Sequence, residues 1–341
     1  MSGVFDEGSL AREFDGLLCD LDGTLYRGAT AIDGAAELLA QHGLRHVLLT
    51  NNASRSATQV ADHMRMMGFA IDPGDVVTSG QTAARVLRGE CEPGSNVLVI
   101  GSDALSAEVA NVGLVPVRSQ MDAPVAVVQG HCQKTDWNLL AEAALAIREG
   151  ARWIACNADA TFPTERGLVP GNGSMVAALR TATEAVPHVV GKPQPDMVRH
   201  GLERACFEHP LVVGDRLETD IAGAVAVGLP SLLVLSGVST AADVIFAGPE
   251  FRPTYLAGDI GGLAMSAESL RIGPQPGWHV EVDDDAVTLR AVNGQGQEGL
   301  SVVRAVAHAM WRDSAEGRRR PIVATDAQSH RALADCNLLD A

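Results

Sequence analysis

Two aspartates one residue apart, Asp20 and Asp22, follow the apolar run Leu17-Leu18-Cys19 and precede Gly23-Thr24. In an open α/β sheet, ligands collect at the carboxyl ends of the strands. Two carboxylates so spaced at a strand end point roughly the same way around a turn. They can hold a hard divalent cation through oxygen. One can attack an electrophile while the other moves protons. A lone D-x-D reads as a solvated acidic turn; a place after a buried strand and before Gly-Thr favours the ligand reading.

Three more stretches share this layout. Val47-Leu48-Leu49 ends in Thr50-Asn51-Asn52, and Ser54 is placed to cap a helix from Ser56. Backbone N–H groups at such a loop bind phosphate, although a plain helix cap would account for it equally well. Val190-Gly191-Lys192-Pro193-Gln194-Pro195 holds a lysine between glycine and proline just before a helix. The prolines restrict its backbone. A stiffly placed ammonium can neutralise a phosphoryl oxygen, though a lysine taken alone reads as surface. Leu211-Val212-Val213 ends in Gly214-Asp215, and Asp220 falls in the first turn of the next helix. Asp215 suits a metal ligand. Asp220 either orients ligands or favours the helix N-terminus.

The elements that must position these residues are short apolar runs alternating with amphipathic stretches. Runs at Gly16–Cys19, His46–Leu49, Val97–Ile100, Val125–Val128, Trp153–Ala155, Leu211–Val213 and Ser231–Leu235 read as strands. Helical segments lie between them, among them Ser56–Met67, Trp137–Arg148 and Asp196–Ala205. The alternation predicts βαβ units, an α/β fold with a mostly parallel sheet covered on both faces. It breaks near residue 268. A Pro/Gly linker, Ile272–Gly277, leads to a hairpin, a helix, a basic turn at Arg318–Arg320, a strand and a last helix. That is a small ββαβα module, with the basic turn read as solvated.

A chain of 341 residues predicts two or three domains. Lys plus Arg number 26 and Asp plus Glu 42, a formal net charge of −16. So negative a field disfavours nucleic acid and anionic membrane as partners, and an anionic substrate would need a local device against it. The six cysteines have neither C-x-x-C nor zinc spacing. With no signal-peptide pattern and no run long enough to span a bilayer, the expectation is a soluble cytoplasmic protein.

Taken in order, D-x-D-G-T (Asp20–Thr24), T-N-N (Thr50–Asn52), G-K-P (Gly191–Pro193) and G-D-x-x-x-T-D (Gly214–Asp220) resemble the haloacid dehalogenase (HAD) superfamily of phosphatases over residues 15–265. The long gap between Asn52 and Lys192 carries βα units of its own. It resembles the class IIA branch, which inserts a large C2-type cap there. Asn157–Pro163 and Val169–Ser174 are similar to that branch's cap loop and its return to the core. The resemblance implies a Rossmann-like HAD core at 1–80 and 188–268, an α/β cap at 81–187 and the module at 269–341.

It also implies the chemistry. Asp20 would be the nucleophile, forming an aspartyl-phosphate, and Asp22 the general acid and base. Mg²⁺ would be held by the Asp20 side chain, the Asp22 backbone carbonyl and Asp215, with Asp220 supporting them. Thr50, Asn51 and Asn52 would hold phosphoryl oxygens, and Lys192 would neutralise charge. A carboxylate approaching a phosphate meets like-charge repulsion of about 4 kcal/mol at ~4 Å and an effective dielectric of ~20. Mg²⁺ and Lys192 would be the local device against it.

Members of the branch hydrolyse phosphoglycolate, pyridoxal phosphate, p-nitrophenyl phosphate and glycerol 3-phosphate. Thr164–Leu168, Gly171–Thr183 and Val212–Leu217, with the Pro274–Trp278 linker, resemble the mycobacterial-type glycerol-3-phosphate phosphatases. Phe162, in the cap loop, would face the leaving group and suit a small neutral one such as glycerol, unless it belongs to the cap core. His131 and Cys132 read as structural. The expected partner is a small phosphomonoester, with nucleotides among the alternative substrates and a homodimer left open. The module resembles a fragment of an acetyltransferase-like fold, but no R/Q-x-x-G-x-G/A loop for coenzyme A is present, so acyl transfer is not expected. A receiver-like phosphoacceptor and a phosphomutase also use an aspartyl-phosphate. The first lacks a large cap, and the second usually has a smaller cap inserted elsewhere.

Overall fold

The computed structural model describes residues 8–41, 43–164, 166–292, 299–312 and 319–339, Pro163 by its backbone alone. The packing divides into two units. The first holds 1–46, 67–70 and 205–341; the second holds 47–66 and 71–204.

In the first unit four parallel strands lie in the order Tyr255–Ala257, Ser231–Val234, Pro210–Gly214, Gly16–Cys19. The register sets Leu18 against Val212 and Cys19 against Val213. The strand Gly16–Cys19 is buried at every position, which is why it reads as one apolar run rather than an alternation. Both strand ends that carry aspartates therefore open on the same edge. Residues after 270 form the expected ββαβα module. Trp278–Val282 pairs antiparallel with Val287–Ala291, which pairs parallel with Ile322–Ala324. Helix Ser301–Arg312 and helix Ala327–Asp335 complete it.

In the second unit His46–Thr50 pairs parallel with Val76–Thr78. A five-stranded parallel sheet runs His188–Val189, Arg152–Ala155, Ala126–Gln129, Asn96–Ile100, Val115–Val117. The two-residue period of a strand divides its core. Val97 and Val99 pack with Leu87, Leu105 and Val109 on one face. Leu98 and Ile100 pack with Ile147, Val176 and Leu179 on the other. Each such side chain contributes about 1.5–3 kcal/mol. Thr161–Thr164 and Gly167–Pro170 form a separate antiparallel two-stranded sheet.

Three local expectations are corrected. Ser54 does not cap the helix Ala57–Met66. Ser56 does, accepting from Gln59 N at 3.2 Å while its own N–H donates to Gln59 Oε1 at 2.9 Å. The basic turn is not all solvated. Arg318 lies outside the described residues and Arg319 sits over the Phe246 ring, 5.2 Å from its centroid, while Arg320 is only 3% exposed. Arg320 is close enough to the hairpin turn to help hold the Asp283 carboxyl low, after the larger effect of the Ala286 and Asp285 N–H groups. Finally, the strand forecast at Ser231–Leu235 ends at Val234, because Leu235 turns into a loop that the site uses.

Candidate active site

Within the first unit the D-x-D and G-D turns converge. Asp20 is held at the strand end by its own N–H donating to Val213 O at 2.8 Å. Thr24, fully buried, donates to Asp20 Oδ2 at 3.4 Å. Asp215, 3% exposed, accepts from Val238 N on Oδ2 at 2.7 Å, and its carbonyl accepts from Ser239 N at 3.1 Å. Asp220, 2% exposed, lies in a single π-helical turn, Leu217–Ile221, and accepts from Arg216 N at 3.1 Å.

Glycine is needed at three places around them. A Cβ at Gly237 or Gly23 would overlap the Asp215 carboxylate, and one at Gly214 would overlap Asp220. Gly23 also has φ +89°, a left-handed conformation.

One carboxylate oxygen from each of Asp20, Asp215 and Asp220 lies within 4.8 Å of the others. Three anions so close repel each other by about 3.5 kcal/mol per pair at an effective dielectric of ~20. Two of them are withdrawn from water. An all-oxygen, multiply anionic donor set is what a hard divalent cation such as Mg²⁺ prefers, so these residues fit the expected ion. Asp220 stands in the cluster itself rather than behind it. The Asp22 side chain is solvent-exposed and outside the trio, so of its groups only the backbone carbonyl remains for the ligand role foreseen from the sequence.

The second unit carries the T-N-N and G-K-P residues. Thr50 Oγ1 accepts from Asn52 N at 3.2 Å, and Asn52 Oδ1 accepts from Ser54 N, Ser54 Oγ and Arg55 N at 2.8, 2.9 and 3.2 Å. Asn52 thus shapes its own loop. Asn51 clasps the lysine's peptide: its Oδ1 accepts from Lys192 N at 2.8 Å and its Nδ2 donates to Lys192 O at 3.1 Å. Lys192, 5% exposed, donates from Nζ to Leu49 O at 3.1 Å. Gly191 leaves no room for a Cβ between Cys156 O and Asn51 Oδ1. The Asn51 side chain and the Lys192 peptide are therefore one assembly within this unit.

The cap-like loop joins it. Asn157 Nδ2 donates to Asn51 O and Asn172 Nδ2 to Asn157 O, both at 2.7 Å. Asn172 also lines a groove of about 550 Å³ with Gln129, His131, Phe162, Arg166 and Met175. Phe162 is half-buried and stacks on His131, centroids 4.8 Å apart and planes 17° apart. Burial lowers the His131 pKa, so its ring is neutral. Gln129 is fully buried; Trp153 Nε1 donates to its Oε1 at 3.1 Å, and its Nε2 has no partner among the described residues.

Sequence reading missed the loop after Ser231–Val234, whose Val238 and Ser239 N–H groups hold Asp215. The signal was available, since Ser236-Gly237-Val238-Ser239 also follows the carboxyl end of a parallel strand. It carries no charged residue, so nothing in its chemistry drew attention.

Comparison with known proteins places the chain in a family. A family model for haloacid dehalogenase-like hydrolases matches residues 17–115, a HAD-like hydrolase model residues 189–263, and a GCN5-related N-acetyltransferase like domain residues 275–338. The D-glycerol 3-phosphate phosphatase of Mycobacterium tuberculosis is 51% identical over 340 residues, 97% of this chain and 96% of that protein. The crystal structure of the M. tuberculosis glycerol phosphate phosphatase in complex with magnesium superposes with a TM-score of 0.93 at 52% identity, covering 97% of this chain and 99% of that one. An acid sugar phosphatase of Staphylococcus epidermidis is 34% identical over 254 residues, 73% of this chain and 96% of that protein. The chain belongs to the haloacid dehalogenase-like hydrolase family.

Proposed function

We propose that the protein is a Mg²⁺-dependent phosphomonoesterase whose leading substrate is glycerol 3-phosphate, released as glycerol and phosphate. The observation that carries the reading is the cluster of Asp20, Asp215 and Asp220 at the ends of adjacent parallel strands. The choice of substrate rests on the relative that is 51% identical across 97% of the chain.

In this reading the Asp20 carboxylate attacks phosphorus and the ester P–O bond breaks. Asp22 gives its proton to the departing alkoxide. Asp22 then takes a proton from water as that water attacks phosphorus, the Asp20–phosphoryl bond breaks, and phosphate leaves. The exposure of Asp22 lets it exchange protons with solvent. Thr50 and the backbone N–H groups of the Asn51-Asn52 loop bind phosphoryl oxygens, and Lys192 adds a positive charge whose position Asn51 sets. Mg²⁺, held by Asp20, Asp215 and the Asp22 carbonyl with Asp220 beside them, supplies further charge against the phosphoryl oxygens.

We assign residues 81–187 to a cap and Phe162 to its leaving-group contacts, supported by the place of Phe162 on the groove wall. No described helix is long and apolar enough to cross a membrane, which is compatible with a small-molecule enzyme of the cytoplasm. The groove has room for more than glycerol, so sugar phosphates belong in the test beside phosphoglycolate, pyridoxal phosphate and AMP.

The test is phosphate release with Mg²⁺ across that panel. A kcat/KM at least tenfold higher for glycerol 3-phosphate, about 1.4 kcal/mol in the transition state, supports the substrate; a flat profile removes it and leaves the phosphatase. Asp20→Asn abolishes turnover with little change in Tm. Retained turnover would sink the nucleophile assignment.

A further inference from the structure

The C-terminal module shares one core with the strands Ser231–Val234 and Tyr255–Ala257, beside the strand that leads to Asp215, and with the turn that bears Asp220. Val302, Val303 and Val306 of helix Ser301–Arg312 pack in a single cluster with Leu233, Val244, Ile245 and Leu256, and with Leu217 and Ile221 of the turn that bears Asp220. Two polar contacts fix this packing in register. Arg304, 7% exposed, donates from Nε and Nη2 to Leu256 O at 3.2 and 3.0 Å. Trp311 donates from Nε1 to Val244 O at 3.2 Å, in the last turn of helix Ala241–Ile245.

These two carbonyls bracket the loop that holds Asp215. On the strand side, Leu235 N donates to Ala257 O, next to the Leu256 carbonyl that Arg304 binds, at 3.0 Å. On the helix side, Thr240 caps the helix whose far end Trp311 grips. Between them Val238 and Ser239 donate to Asp215, and Ser239 Oγ accepts from Leu217 N at 3.0 Å. Ser236 ties the loop to the D-x-D turn, its Oγ donating to Gly23 O at 2.6 Å and its carbonyl accepting from Arg27 Nε; the elements on either side of the loop are gripped from the module by Arg304 and Trp311.

We propose that the module is a splint for the metal site, with Arg304 and Trp311 as positioning residues that keep the 235–240 loop, and through it Asp215, in the geometry that binds a divalent cation. The inference rests on the Mg²⁺ reading above.

The test uses the full-length chain and reads Mg²⁺ affinity by calorimetry and by the rise of Tm with Mg²⁺, at a temperature where circular dichroism shows every variant folded. Trp311→Phe removes one N–H and keeps a ring. Arg304→Met removes the guanidinium and keeps bulk, and Arg304→Lys keeps a donor. Leu179→Ala, in the core of the second unit, is a control for lost stability alone. The expected result is a Kd raised fivefold or more in Trp311→Phe and Arg304→Met, partial recovery in Arg304→Lys, and a Kd within twofold of the parent in Leu179→Ala. An unchanged Kd in the first two variants overturns the splint, as does an equal weakening in Leu179→Ala. If Arg304→Met does not fold, Trp311→Phe decides. If the parent protein binds no Mg²⁺, or Asp215→Asn binds it equally well, the Mg²⁺ reading itself falls.

Discussion

Asp215 shows how much of a buried carboxylate's placement is set by neighbours with no chemistry of their own. Two N–H groups hold it, and two glycines give it space. A methyl group at Gly237 has no room beside the carboxylate, so Gly237→Ala forces Asp215 or the loop to move. The expected outcome is a Mg²⁺ Kd at least tenfold weaker by calorimetry, about 1.4 kcal/mol, in a protein that still unfolds cooperatively. An unaltered Kd would show that the loop yields at little cost. This also explains which residues could be read in advance. Asp20, Thr50 and Asp215 stand out in the sequence because reactive groups follow apolar runs, and Lys192 because it lies between glycine and proline before a helix. Asn51 was legible as a residue but not in its use: the sequence suggests an amide facing phosphate, whereas the fold turns it onto the Lys192 peptide. The Val238 and Ser239 contributions are backbone N–H groups, which every non-proline residue has, so no spacing rule singles them out.

Among the elements, helices Ser79–Glu90 and Pro195–Ala205 meet through a titratable contact. His200, 9% exposed, lies 3.1 Å by Nδ1 from Thr82 Oγ1. That hydroxyl donates to Thr78 O at 3.2 Å, so Nδ1 must be the donor to it. Arg85 is paired with Glu203, and Arg204 donates to Val76 O at 2.8 Å. Burial, with Arg204 and Arg85 nearby, lowers the His200 pKa to about 4. The unfolded chain binds a proton near pH 6.5 and the folded one near 4. Stability from this group is therefore complete above pH 6.5 and is lost as pH falls from 6.5 toward 4, by up to roughly 3 kcal/mol. Denaturant melts at pH 7 and 4.5 should show a steeper loss for the parent than for His200→Gln; parallel losses would exclude His200 as the cause. Helix Ser79–Glu90 was not foreseen, because Ser79, Gly80 and Gly89 obscure its apolar face. Its Thr78/Gln81 capping box was the available signal. Val76–Thr78 and Tyr255–Ala257 are three-residue strands, too short for a pattern, and Val115–Val117 holds a proline that argues against a strand except at an edge, where it lies. The βαβ rhythm and the ββαβα module were legible because their strands and helices are long enough to show their periods.

For the molecule as a whole, the net charge of −16 opposes the arrival of a phosphate ester. Raising NaCl from roughly 20 to 200 mM shortens the screening length several-fold. At saturating Mg²⁺, kcat/KM for glycerol 3-phosphate should rise over that range while kcat stays level. A fall would mean that local cations near the site, not the global field, govern approach. The first unit is assembled from widely separated parts of the chain: Leu18 lies beside Val212, and Trp311 donates to Val244 O in the helix that follows the loop holding Asp215. On a ribosome making about 5–20 residues per second, the strand that leads to Asp20 waits about 10–40 s for its partner. The stretch 71–204 is continuous and can close in that interval. A nascent chain thus carries a finished second unit before its carboxylate cluster is made, and gains the ability to bind its ion only when synthesis has nearly run its course.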